Sequence, residues 1–114
     1  MPPPSKSFNR NKEIDMSAFL IFHSTVKDAE KFQVYARSVP ATLQPFNGSL
    51  LTKGKSARVL AGKHDHPTVG ILKFSDLDKA HGWYESEAYQ SLISNRDEAA
   101  DMTVISYEEP ETQG

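Results

Sequence analysis

Apolar side chains recur along the chain at two spacings, one of strands and one of helices. Ser17 to Ser24 is β-branched and aromatic, and apolar on both faces until His23. Such a run predicts a strand covered on both sides. Thr25-Val26-Lys27-Asp28 has the form of a capping box and predicts a helix start. Phe32, Tyr35, Ala36 and Val39 then return at helical spacing and supply a buried stripe. Pro40 disfavours helical geometry at Val39, which predicts a kink or break there. Ala41 to Phe46 can add another turn before Asn47-Gly48 ends it. Ser49–Thr52 and Ala57–Ala61 read as short strands around a Lys53-Gly54-Lys55-Ser56 turn, and a polar loop follows to Pro67. Thr68 to Phe74 is the next strand. Ser75-Asp76-Leu77-Asp78 is a second capping box, opening a helix through Leu77, Ala80 and Tyr84. Ser86 can recap a further helical segment, Glu87 to Asn95, and Asp101 to Tyr107 closes the series as a strand.

The order β-α-β-β-α-β predicts an α+β, ferredoxin-like domain, an antiparallel sheet with two helices on one face. The other face stays bare in a single copy. Ala18–Phe22 is apolar on both sides, so a second copy of the sheet is the expected cover, giving a homodimer in the manner of a dimeric α/β barrel. The domain is expected over residues 16–109. Residues 1–15, with Pro2-Pro3-Pro4 and little to bury, and residues 110–114 are expected to be disordered tails. Met16, at the head of the patterned region, is the expected native start.

The 114 residues suit one domain of modest core. The formal net charge of -2 argues against a binder of nucleic-acid backbone or of anionic membrane surfaces. The strand Gly70-Ile71-Leu72-Lys73-Phe74 also lacks the exposed aromatic pair that stacks bases in RNA-recognition domains of this topology. There is no cysteine, which removes disulfides, thiolate metal sites and cysteine nucleophiles. The longest apolar run, Ala18 to Phe22, is far short of the ~20 residues of a membrane span. A cytoplasmic location is the expectation.

Arg96 is the strongest candidate for chemistry. Tyr89, Leu92, Ile93 and Arg96 fall at i, i+3, i+4 and i+7, so the guanidinium shares a buried stripe and must be paired. It holds a ligand carboxylate or phosphate, pairs with an Asp or Glu of this chain or its partner copy, or snorkels from the helix end. Trp83 and Tyr84 point about 100° apart on a helix, so one packs in the core and the other borders a cavity or seam. Tyr35, on the core side of the first helix, needs a hydroxyl partner if buried, and His23, in line with Phe19 and Ile21, could be a general base. Lys73 interrupts the face of Val69 and Ile71 and could line a polar cavity. His64-Asp65-His66 has chelating spacing but no evident third ligand, so neither metal nor cofactor is assigned. These residues fit a small-molecule pocket, with Arg96, Trp83, Tyr84, Tyr89 and Lys73 as candidate ligand contacts. The alternative, supported by fold analogy alone, is a cofactor-free enzyme in which His23 or Tyr35 moves a proton and Arg96 holds an anion. A purely structural dimer is the third reading.

Tyr35 to Pro40, Ala41-Thr42-Leu43, Phe46-Asn47-Gly48, Phe74 and above all Ala80 to Gln90 with Arg96 resemble a small bacterial family, the domain of unknown function 1330 family. The resemblance runs from about Met16 to Glu109. It implies a ferredoxin-like fold and a homodimer within the dimeric α/β-barrel superfamily, and no established activity. Cofactor-independent monooxygenases, muconolactone isomerases, chlorite dismutases and heme-degrading enzymes belong to that superfamily. The chain departs from the family pattern at Ser49 and Lys53, where arginines are usual, and at Lys73, where an acidic residue is.

Overall fold

A computed structural model describes residues 16–110. The expected tails at 1–15 and 111–114, with the question of the native start, lie outside the described residues. The strands are β1 (Ala18–Val26), β2 (Ser49–Lys55), β3 (Thr68–Phe74) and β4 (Ala100–Glu108). The helices are α1 (Ala29–Leu43), α2 (Leu77–Glu85), α3 (Glu87–Gln90) and α4 (Ile93–Ala99), with a 3-10 turn at Gln44–Phe46. The strands form one sheet in the order β2-β3-β1-β4, every pairing antiparallel. This is the ferredoxin-like arrangement expected from the element order.

The sheet's inner face carries Ala18, Leu20, Phe22, Leu72 and Phe74, which form the core with Tyr35 and Leu43 of α1, Ala80 and Trp83 of α2, and Tyr89 of α3. Each large apolar side chain so buried contributes about 1.5–3 kcal/mol. The outer face carries Phe19, Ile21 and His23 beside Val69, Ile71 and Lys73 on one side and Thr103, Ile105 and Tyr107 on the other. Gly48 lets β2 leave α1 close to the core: a Cβ there would lie 2.5 Å from Phe74 Cε2 and 2.8 Å from Leu43 Cδ2.

Several boundaries differ from the expectation. Thr25 and Val26 remain in β1 because they pair with Asp101 and Ala100 of β4. Asp28 therefore caps α1, its carboxylate accepting from the Lys31 N–H at 3.1 Å. In the same way Asp76, not Ser75, caps α2. The ladder outweighs the local capping signal in the first case. Helix α1 runs through Pro40 without a break, with Thr42 Oγ1 donating to Val39 O at 2.6 Å nearby. Lys53-Gly54-Lys55 is not a turn but the end of β2, paired with Gly70, Val69 and Thr68. The strand expected at Ala57–Ala61 is absent, and residues 56–67 form a loop closed by Ser56 N donating to Pro67 O at 2.7 Å. The segment expected at Glu87–Asn95 divides into α3 and α4.

Candidate functional site

Between α1 and the inner faces of β1, β2 and β3 lies a cavity of about 600 Å³. Its walls include Phe22, Phe32, Val39, Leu43, Leu50 and Leu72, and the polar residues among its lining are Ser24, Tyr35, Lys53, Lys55 and Thr68. The sequence leaves the space open. Gly70, at the centre of the inner face between Phe22 and Lys53, carries no side chain, and a Cβ built there meets no atom within 4 Å. The two lysines reach the cavity because they pair with Gly70 and Thr68 on the helix-facing side of β3. Between Leu50 and Thr52 the register of β2 shifts by a bulge. Bulges of this kind re-aim side chains.

A cluster of hydroxyls and one cation adjoins the cavity at Tyr35. The Tyr35 hydroxyl lies 2.8 Å from that of Tyr89. Arg96 Nη1 donates to Tyr89 at 3.1 Å and to Tyr84 at 3.0 Å, and its Nε donates to Asp97 Oδ1 at 3.2 Å. Helix α3 places Tyr89 through its cap, Ser86 Oγ, which accepts from the Tyr89 N–H at 3.2 Å. Tyr89 is wholly buried against Trp83, with ring centroids 4.3 Å apart. Burial raises the Tyr35 hydroxyl far above the usual phenol range, the neighbouring Tyr89 adding to it. It raises Tyr89 as well, against the pull of the Arg96 guanidinium. At Arg96 burial opposes the charge, but the hydrogen bonds to Tyr84 and Tyr89 outweigh it, so the guanidinium stays protonated. At neutral pH Tyr35 and Tyr89 are neutral phenols beside one cation.

Tyr35, Tyr84, Tyr89 and Arg96 are thus brought together. Only Tyr35 of that group lines the large cavity, while Tyr84 borders a smaller cleft with Leu20, His81 and Ser106. Trp83 is sealed in the core, its Nε1–H donating to Thr42 Oγ1 at 2.9 Å. Lys73 and His23 stand on the outer face of the sheet, away from the cavity. Lys55 and Gly70 were not singled out by sequence, and Lys53 only as the place of a usual family arginine. The alternation of Lys53 and Lys55 at i, i+2 is a strand signal that could have found the lysines.

His23 belongs to a different group. Its ring meets His64 edge-on at 4.9 Å, and His64 meets His66 at 6.0 Å. His66 Nδ1 is 2.9 Å from Thr25 Oγ1, pinning the end of the loop to β1. Among the described residues no group of three His, Asp or Glu side chains converges on a metal position. Burial, and then the two neighbouring imidazoles, hold His23 below its ordinary pKa of 6.5, and its buried Nδ1 has no hydrogen-bond partner. The unfolded chain therefore takes up this proton more readily than the folded one. The associated stability is complete above 6.5 and is lost as pH falls through 6.5 towards the lower folded value. The thermal midpoint of the wild type should drop between about pH 7.5 and about pH 5, and His23→Gln should drop less. Melts followed by circular dichroism decide this, since equal drops would assign the titration to other groups.

Comparison with known proteins places the chain. The profile of the DUF1330 family, a domain of unknown function, matches residues 17–109. None of the curated proteins matches the chain in sequence. Among solved structures, the RPA0582 protein of unknown function from Rhodopseudomonas palustris is similar at 14% identity and a TM-score of 0.70, over 85% of each chain. SnoaB, a cofactor-independent oxygenase from Streptomyces nogalater, is similar at 13% identity and a TM-score of 0.58, over 87% of this chain and 97% of its own. A dabb family protein with a ferredoxin-like fold from Mesorhizobium loti follows at 12% identity and a TM-score of 0.55, over 81% of this chain and 95% of its own. At such identities the likeness concerns the fold alone. The profile match, spanning nearly all the described residues, makes the chain a member of the DUF1330 family.

Proposed function

We propose that this protein binds a small molecule with an apolar or aromatic body and an anionic group, in the cavity under α1, and that it does so as a cytoplasmic homodimer. The cavity carries the reading. Its volume of about 600 Å³ lies within the range of about 300–1,000 Å³ usual for small-molecule sites, and its lining is mostly apolar with a few polar groups. The cations at its wall are Lys53 and Lys55. Arg96 serves the site from behind, through Tyr89 and Tyr35, and Tyr84 shares its guanidinium. No helix among the described residues is long and apolar enough to cross a membrane.

The test uses two fluorescent probes that share an aromatic body, 8-anilinonaphthalene-1-sulfonate and the uncharged N-phenyl-1-naphthylamine. Both should bind. Replacing Lys53 and Lys55 together by glutamine should weaken the sulfonate by about threefold to tenfold, since exposed ion pairs contribute about 0.2–1 kcal/mol each. The uncharged probe should bind the variant as before. Equal effects on both probes would refute the anion preference, and failure of both to bind would refute the cavity reading.

The homodimer rests on the outer face of the sheet. Phe19, Ile21, Val69, Ile71, Ile105 and Tyr107 lie side by side there, with Ile105 38% and Tyr107 45% exposed. A face that is apolar and carries little charge is self-complementary, as a two-fold interface requires. Sedimentation at micromolar concentration should give the dimer mass, and a monomer rules the pairing out.

A second reading has one observation in its favour. Tyr35 lines the cavity and is hydrogen-bonded into the Arg96 cluster, so a proton-transfer role in a cofactor-independent enzyme would fall to Tyr35. SnoaB, of the same fold, is a cofactor-independent oxygenase.

A further inference from the structure

We infer that the Tyr35 hydroxyl is held as a directed hydrogen-bond donor, which selects cavity ligands carrying an uncharged acceptor oxygen such as a carbonyl beside their apolar body. The inference rests on the binding reading above and adds to it a second point of recognition, distinct from the lysines. It follows from counting protons in the cluster. A guanidinium only donates. The Tyr89 oxygen must therefore be the acceptor from Arg96 Nη1, at 3.1 Å, and the Tyr84 oxygen the acceptor at 3.0 Å. Tyr89 still has its own proton to place, and it is wholly buried, out of reach of water. Among the described residues the one acceptor within reach is the Tyr35 oxygen at 2.8 Å. The opposite direction would leave the Tyr89 proton unpaired in the core, a costly arrangement.

The chain of donation thus runs from Arg96 to Tyr89 to Tyr35. Each link polarises the next, so the charge of Arg96 strengthens Tyr35 as a donor. The last proton of the chain belongs to Tyr35, the one member of the cluster on the cavity wall, and among the described residues it has no acceptor. Arg96 and Tyr89 are then positioning residues. No proton is transferred and no bond is made.

Two uncharged probes of one shape test this: 2-acetylnaphthalene, which has a carbonyl, and 2-ethylnaphthalene, which lacks one. Affinity is read by intrinsic fluorescence and the bound carbonyl by its infrared stretch. The wild type should lower the stretch frequency relative to the probe in an apolar solvent. Tyr35→Phe should abolish that lowering and weaken acetylnaphthalene by roughly three- to tenfold, while ethylnaphthalene binds as before. Tyr89→Phe should keep the bond but lessen the lowering, a change that loss of packing alone would not cause. If both probes bind and the wild-type stretch is unshifted, the donor assignment is wrong and the cavity reading stands. If Tyr35→Phe weakens both probes alike, Tyr35 only shapes the wall and the inference fails. Binding of neither probe would remove the cavity reading and this inference with it.

Discussion

Gly70→Trp is expected to abolish ligand binding while leaving the fold intact. Gly70 faces α1 from the middle of β3, and a side chain started there enters open space. Its backbone does not adopt a positive φ, so a larger residue is not strained. An indole ring would occupy room that Phe22, Phe32, Leu43 and Leu72 now leave free. Aromatic residues suit strands and glycine does not, so the thermal midpoint should hold or rise, by up to about 1 kcal/mol in stability. Affinity for the two anilinonaphthalene probes should fall by more than about tenfold, or 1.4 kcal/mol. An unfolded variant would mean that the space is already filled. A folded variant that binds both probes normally would place binding outside the cavity.

Trp83→Ala should produce the largest loss of stability in the molecule, about 3–5 kcal/mol. Trp83 has no exposed surface and packs against Phe22, Phe74, Tyr84 and Tyr89. Its removal opens a hole where α2, α3 and the sheet meet and leaves Thr42 Oγ1 without its donor. For a domain of this length the thermal midpoint should fall by at least about 12 °C. Trp83→Phe keeps most of the apolar area and loses the Thr42 hydrogen bond, so it should cost about 1 kcal/mol beyond the change in packing. Chemical denaturation of both variants measures the difference. A loss below about 1 kcal/mol for alanine would show that the core can collapse around the gap.

The residues show why some of this was readable in the sequence and some was not. The i, i+3, i+4, i+7 series from Tyr89 to Arg96 pointed to a buried arginine, although the helix assumed there divides at Ser91-Leu92. The side chain of Arg96 is indeed only 11% exposed. Its acidic partner, Asp97, falls within the expectation of an acidic residue of the protein, but its other partners were not readable. The sequence argument looked for carboxylates, and the structure supplies phenol oxygens from seven and twelve residues upstream, together with Asp97. Which neutral groups meet a cation depends on packing between helices, which spacing along one helix does not encode. Capping boxes erred by up to three residues because strand pairing decided where β1 stopped. A pocket was expected, but its cationic wall escaped notice for a related reason. Lys53-Gly54-Lys55 has the composition of a turn, and only its pairing with β3 makes it a wall.

The bulge in β2 has a consequence of its own. Alternation running on unbroken from Leu50, which faces α1 opposite Leu72, would turn Thr52 and Gly54 inward and Lys53 and Lys55 outward. The extra residue at Leu51 reverses that parity, so the lysines reach the cavity and the threonine faces away. One added codon, without any substitution, is thus enough to exchange a neutral wall for a cationic one. Relatives that differ in length by a single residue between Gly48 and Gly54 would then hold ligands of different charge on the same backbone.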